Sequence, residues 1–446
     1  MAKIGPLLQQ TLARIESVPA SERVSVISAL SARLGIEDGG RLPTMVQRRQ
    51  PPPKPGETFE EYRHRVDADL QPLNDAVTGG SAQHLILSNS VCCNVSLEQV
   101  SGLADLDQID MLELNPVYNA AQMDQAFVQT GIPALRTSRP DLKGTGIKVA
   151  LLDSGIDTSH PHLKVHASVS TSGEDVSIPG LHATHCAGSL ASRDETFPGI
   201  APDVTLFNIK VLRHTSRGSP ANIARGVDEA LAFGADILSI SLGYNHLPTW
   251  SDRGHGWFCP DGNCVLCTAI DNATFLGAIV VAAAGNEHQR AEALRRFGAS
   301  DSFDTEMTCP GQSRTAISVA AVTKHPFLPA EFSSRGPTAY GASKPVFCCP
   351  GVNITSTAPV PRQSDGSLVA NPNRTDLFAT DSGTSMATPI VAGALALVMQ
   401  DRRDQGLDTS RDAILQAVRG GALEDLGVPE TVLGEGRIDM SSFPLG

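Results

Sequence analysis

The sequence predicts an α/β fold, a mostly parallel sheet covered by helices on both faces, preceded by a small α+β domain. Three observations carry that prediction. Beyond residue 140 the chain is punctuated by short apolar runs and glycines: GTGIKVALLDSGID, VTLFNIKVL, GADILSISLG and GAIVVAAAGN. Helical patterns such as SPANIARGVDEALAFG lie between several of them, and buried strands alternating with amphipathic helices build parallel sheets. Before residue 119 the texture differs, and the pattern there reads β-α-β-β-α-β, the order of a two-layer α+β module.

The elements follow in chain order. ERVSVISAL, near residues 22–30, reads as the first strand. Residues 41–57, RLPTMVQRRQPPPKPGE, are Pro-rich and of mixed charge, and read as an exposed linker or long loop. Thr58 and Glu61 make a capping-box pair. Phe59, Tyr62, Val66, Leu70, Leu73 and Val77 then recur at helical spacing, with Pro72 expected to kink or split the helix. HLILSNSVCCNVS gives two short strands or one bent strand, LEQVSGLADL a helix and QIDMLEL a strand, ending near Tyr118. The expected organisation is an N-terminal segment 1–57, a small α+β domain 58–118 and one large α/β domain 119–446.

Composition narrows the function classes. The 446 residues are 41% hydrophobic and 19% charged, ordinary for a globular protein able to bury a core. With 35 basic and 48 acidic side chains the formal charge is −13, and a nucleic-acid binder should carry a basic face instead. No apolar run reaches the ~18 residues of a membrane span. The opening MAKIGPLLQQTLARIESVP has no basic head followed by an unbroken apolar core, so no secretory signal is expected. With an odd count of nine cysteines, reduced thiols and a cytoplasmic location are the expectation.

Four residues stand where chemistry is done in such sheets. Asp153 ends the run IKVALLD, and ligands gather at the carboxyl ends of parallel strands. Alone, it would read as a turn or cap residue. His182, in LHATHCAG, precedes small residues suited to a tightly packed helix; a lone histidine there is more often structural. Asn286, in VVAAAGNE, is either a turn former or an amide donor. Ser385, in SGTSMATP, puts a hydroxyl at the positive end of the apolar helix MATPIVAGALALVM.

Taken together and in order, LLDSGID, HATHCAG, AAAGNE and SGTSMATP resemble the aspartate, histidine, asparagine and serine motifs of the subtilisin-like serine peptidases, the subtilases. SISLG, EFSSRGP and GEGRID are also similar to family segments, so the likeness runs from about residue 119 to the C-terminus. It implies a subtilisin-like fold with Ser385 as nucleophile, His182 as general base and then acid, and Asp153 orienting the imidazole. Asn286 and the Ser385 backbone N–H would hold the oxyanion. By the same resemblance, Gly218 and Ser241-Leu242-Gly243 lie on the segments that bind an extended substrate. Ala283, Ala284 and Gly285 would line the primary specificity pocket. The α+β module resembles the family's inhibitory propeptide, which places a self-cleavage junction at Tyr118–Asn119.

The departures matter too. The family's H-G-T-H-V-A-G reads His182-Ala183-Thr184-His185-Cys186-Ala187-Gly188. Where many secreted members continue H-P-D and use that aspartate for calcium, this chain has His160-Pro161-His162. Calcium needs six to eight hard oxygen ligands, so that site is expected to be absent. The insertion YNHLPTWSDRGHGWFCPDGNCVLC places His255, Cys259, Cys264 and Cys267 at spacings compatible with tetrahedral zinc, with a local disulfide or free thiols as the alternatives. The expectation is no metal and no cofactor.

The function that follows is an intracellular serine endopeptidase acting on protein or peptide substrates through an acyl-enzyme and restrained by its own N-terminal domain. Regulation by a protein partner is a further expectation; nucleic acid and membrane are not expected partners. A peptide ligase or macrocyclase on the same scaffold is the alternative, with residues 244–263 as a lid that excludes water, and a catalytically silent scaffold is the third reading.

Overall fold

The computed structural model describes residues 3–4, 12, 42–48, 59–78, 83–85, 90–105, 109–114, 127, 129–247, 259–296, 303–363, 367–369, 374–421 and 423–443. The chain divides into two compact units, 1–121 and 122–446.

In the first unit, strands β1 (Lys3–Ile4), β2 (Leu42–Arg48), β3 (Gln83–Leu85), β4 (Ser90–Val95) and β5 (Ile109–Leu114) form one sheet in the order β1-β5-β2-β4-β3. Helices Phe59–Thr78 and Leu97–Ala104 complete the β-α-β-β-α-β pattern. The strand that opens the pattern is β2, which corrects the linker reading at residues 42–48; residues 49–57 lie outside the described residues. LPTMVQR sits between β4 and β5 and pairs antiparallel with both. Pro43 had argued against a strand, yet the β5 ladder begins only at Thr44↔Leu114. Pro43 pairs in register with Asn94 of β4 and lies one residue outside the β5 ladder. The strand expected at 22–30 and the cap at Thr58 lie outside the described residues.

Of the two effects expected of Pro72, the split does not occur: helix Phe59–Thr78 runs through it. Val66, Leu70 and Leu73 are buried on both sides of it, so packing holds the two halves together despite the lost backbone bond. The second helix is closed by a capping box between Ser96 and Gln99, satisfying two otherwise unpartnered donors.

The second unit is built on a nine-stranded sheet. Its strands are β6 (Lys148–Asp153), β7 (Val165–Ser170), β8 (Thr205–Lys210), β9 (Ile237–Ile240), β10 (Ile279–Ala283), β11 (Ile317–Val322), β12 (Phe347–Pro350), β15 (Leu423–Glu424) and β16 (Arg437–Ile438). The order is β15-β16-β12-β11-β10-β9-β6-β8-β7. All pairs are parallel except β15–β16. A separate antiparallel pair joins β13 (Ile354–Thr357) to β14 (Phe378–Asp381).

Strand alternation divides the core between two faces. Val149 and Leu151 of β6 point into one cluster with Ile279 and Val281 of β10 and the Leu181–Ala191 and Thr384–Asp404 helices. Ala150 and Leu152 point into the other, with Val280, Ala282 and the Pro220–Ala232 and Val265–Phe275 helices. The sheet is thus covered on both sides, as expected, and its central strands are mostly apolar because neither face meets water. Helix Pro220–Ala232 starts where the sequence dictates. Ser219 caps it through Asn222 N–H, and Pro220 occupies the first helical position.

The topology prepares a site. From β6 the chain proceeds through β7 and β8 on one side, then crosses to β9, β10 and β11 on the other. The order reverses between β6 and β9, and ligands bind beyond the carboxyl ends of strands at such a switch point.

Candidate active site

Three neighbouring strand ends and two helix starts meet at that switch point. Asp153 is the last residue of β6 and is fully buried. Its carboxylate accepts the Ser154 N–H at 2.6 Å and faces His182 Nδ1 at 2.8 Å and 3.0 Å. An ionised carboxylate only accepts, so Nδ1 carries the proton and Nε2 is left as the basic nitrogen.

His182 is fixed from below. It is the second residue of helix Leu181–Ala191, whose start is clamped to the Asp153 turn by Ala183 N–H to Ser154 Oγ and Gly180 N–H to Gly155 O. A Cβ on Gly180 would sit 2.1 Å from Ser154 Oγ, so only glycine allows this approach. The imidazole side chain remains 25% exposed while Asp153 is sealed. Burial works against its protonation, but the Asp153 charge prevails and holds the histidine well above its ordinary pKa.

Behind Asp153, at the end of the adjacent strand β8, lies the fully buried Lys210. It donates to Ser154 O and Ile178 O and pairs with Glu174 at 2.8 Å. Burial alone would raise Glu174, but hydrogen bonds from Lys210 and His214 bring it down to about 2. Sequence reading missed this support, because a lysine inside an apolar strand shows no sign of its partner 36 positions upstream.

Ser385 lies at the second position of helix Thr384–Asp404, where a backbone N–H has no acceptor within its own helix. Pro389, four residues on, has no N–H to give to the Ser385 carbonyl. Two other elements supply the donors: Ser241 Oγ at 2.9 Å and Cys186 Sγ at 3.4 Å. Cys186 Sγ also lies 4.0 Å from His182 Nδ1. The missing helical bond thus ties the serine, the histidine helix and the end of β9 together. Ser385 Oγ itself donates to Ser241 O at 3.0 Å.

Asn286 follows β10 after Gly285, whose φ of +113° turns the chain. Its Oδ1 accepts from Thr384 N at 2.9 Å and from Thr384 Oγ1 at 3.0 Å. Those bonds leave Nδ2 to donate outward from an exposed residue. Thr384 Oγ1 also accepts the Gly285 N–H at 3.2 Å. Thr384 is a second residue that the sequence did not single out; only its place beside Ser385 hinted at it.

A cleft of about 500 Å³ opens beside His182, lined by Gly218, Ser241, Leu242, Gly243 and Tyr244 among others. Four of the expected substrate-binding residues therefore share one wall with the histidine. Ala283, Ala284 and Gly285 are buried beside Thr308. Tyr118, Asn119 and His255 lie outside the described residues.

Where calcium ligands were sought, His162 Nε2 lies 3.4 Å from Asp194, and His160, His162, Phe197 and Phe378 stack against one another. Among the described residues no helix is long and apolar enough to cross a membrane.

A buried carboxylate paired to an imidazole, a hydroxyl at a helix start and two N–H donors beside it are the parts of an acyl-transfer site. Comparison with known proteins gives the same chemistry. Residues 144–434 match the model described as the subtilase family. The chain is 34% identical to subtilisin DY of Bacillus licheniformis over 279 residues, 61% of this chain and 84% of that one. It is 33% identical to subtilisin E of Bacillus subtilis (strain 168) over 285 residues, 63% of this chain and 62% of that one. It is also similar to the serine protease AprX of Bacillus subtilis (strain 168), 30% identical over 349 residues and 74% of each chain.

Proposed function

The chain belongs to the subtilase family and is a subtilisin-like serine protease, and from that premise we propose which residues carry the reaction and how it is restrained. Ser385 is the nucleophile. Its hydroxyl exchanges the Ser241 carbonyl for His182 Nε2, gives up its proton there, and attacks the scissile carbonyl carbon. Asp153 keeps the imidazole in the Nδ1–H form and stabilises its positive charge. The oxyanion is received by Asn286 Nδ2 and the Ser385 N–H. Imidazolium then protonates the leaving amine, and a water activated by the same imidazole releases the acyl group. The observation that carries this assignment is the buried Asp153 carboxylate 2.8 Å from the His182 imidazole, whose helix is bound through Cys186 to the start of the Ser385 helix.

The extended peptide lies along Gly218 and Ser241–Gly243 by backbone pairing, with Ala283, Ala284 and Gly285 forming the base of the primary side-chain pocket. The compact N-terminal unit restrains the enzyme, and the Tyr118–Asn119 bond is its self-cleavage junction. Work inside the cell is supported by the seven cysteines of the second unit, Cys186, Cys259, Cys264, Cys267, Cys309, Cys348 and Cys349, which are free thiols. Hydrolysis is tested by product mass on a peptide substrate with wild type, Ser385→Ala and His182→Ala. Hydrolysed product from wild type alone agrees with the assignment; a ligated or cyclised product would favour the ligase reading.

A further inference from the structure

The cysteines of the insertion form a cluster that the proposed reaction does not use. We propose that Cys259, Cys264, Cys267 and Cys309 hold a structural zinc ion in a closed tetrahedral site. Their four sulfurs all lie within 4.8 Å of one another. Cys267 Sγ is 3.9 Å from Cys259 Sγ and 3.7 Å from Cys309 Sγ. A tetrahedron with Zn–S bonds of about 2.3 Å has sulfur–sulfur edges of about 3.8 Å. A disulfide would bring one pair to about 2.05 Å, and no pair is drawn in.

The surroundings suit thiolates. Cys264 stands at the residue before helix Val265–Phe275 and Cys267 in its first turn, so two sulfurs lie at the positive end of that helix. Cys259 Sγ accepts the Cys264 N–H at 3.3 Å, and Cys309 Sγ accepts from Gln312 Nε2 at 3.2 Å. Gln312 also holds the Cys259 carbonyl at 3.0 Å. Such donors partly offset the −2 charge of a zinc ion with four thiolates. Each thiol gives its proton to solvent as its zinc–sulfur bond forms. Cys259, Cys267 and Cys309 are at most 1% exposed, so no open coordination position is left for catalysis. Four soft sulfurs favour zinc over calcium or magnesium.

The sequence offered His255 as the fourth ligand because it lay nearby. The sulfur that completes the set is Cys309, beyond β10, which spacing alone could not bring in. Its place gives the ion a task. Cys309 exchanges two backbone hydrogen bonds with Tyr244, at 2.8 Å and 2.9 Å, and Tyr244 lines the cleft beside His182. The ion therefore fastens the insertion to a wall of that cleft.

The test uses full-length Ser385→Ala protein, which does not digest itself, purified without added metal and dialysed against a chelator. Elemental analysis should find one zinc per chain. Cobalt exchanged into the same protein should show sulfur-to-metal charge transfer and the strong visible bands of a tetrahedral ion. Cys264→Ser and Cys309→Ser should each lose the zinc, while Cys348→Ser, on β12, should keep it. Substoichiometric zinc in the unaltered cluster, iron in its place, or a disulfide mapped among these cysteines would overturn the proposal. The metal content and cobalt spectrum are read on the intact cluster, so they decide the matter even where a cysteine variant fails to fold.

Discussion

Replacing Asn286 by alanine removes the one side-chain donor assigned to the oxyanion, and the structure fixes how that loss should compare with losing its support. Asn286 Oδ1 is anchored twice, by Thr384 N and Thr384 Oγ1, so Nδ2 is the atom left to meet the substrate. Loss of such a donor costs about 2.7–4 kcal/mol in the transition state, or about 100- to 1000-fold in kcat, a magnitude measured on a subtilisin. Thr384→Val removes only the hydroxyl anchor and keeps the backbone one. One net hydrogen bond of about 0.5–1.5 kcal/mol predicts a fall in kcat of about 2- to 12-fold. Because Thr384 acts through Asn286, adding Thr384→Val to Asn286→Ala should cost little more. The assay is kcat and KM on a chromogenic peptide for the two single variants and the double variant, with thermal denaturation as a control for folding. KM should barely move. An unchanged kcat in Asn286→Ala, or full additivity in the double variant, would refute the reasoning.

Three further outcomes are expected. Turnover should rise with pH through a His182 pKa well above the ordinary 6.5, because only the neutral imidazole accepts the serine proton. Asp153→Asn should move that limb to lower pH while lowering the plateau, and an unmoved limb would detach it from this pair. In stability the sign is opposite: the pair's contribution is full below pH 6.5 and fades as pH climbs through the raised histidine value. A calcium-selective chelator should hardly change the melting temperature, since His162 and packed rings stand where hard oxygen ligands were sought; a large fall would reveal another site. N-terminal sequencing of incubated wild type should find a new terminus at or within a few residues of Asn119, absent from Ser385→Ala, whereas new termini only within 41–57 would contradict the assigned junction.

How much of this was legible depended on what each residue's neighbours in sequence reveal. β6, β9 and β10 could be read directly, because strands buried on both faces are mostly apolar runs followed by glycine. The edge strand β7, VHASVS, is half-exposed and mixes polar with apolar residues, so no comparable run marks it. β2 was hidden by Pro43 and the arginines that follow, and only its neighbours show that the proline falls outside the β5 ladder. Asp153, His182, Asn286 and Ser385 were visible as motifs. Their supports were not, since Lys210, Thr384 and Cys309 act through partners far away in the chain.

The central claim is that Ser385 is an activated nucleophile served by His182. The most direct test is stoichiometric labelling with a fluorophosphonate followed by peptide mapping. One adduct per chain, located on Ser385, lost in Ser385→Ala and strongly slowed in His182→Ala, is the predicted result. An adduct elsewhere, or a Ser385→Ala protein that still cleaves peptides at the wild-type rate, would contradict it.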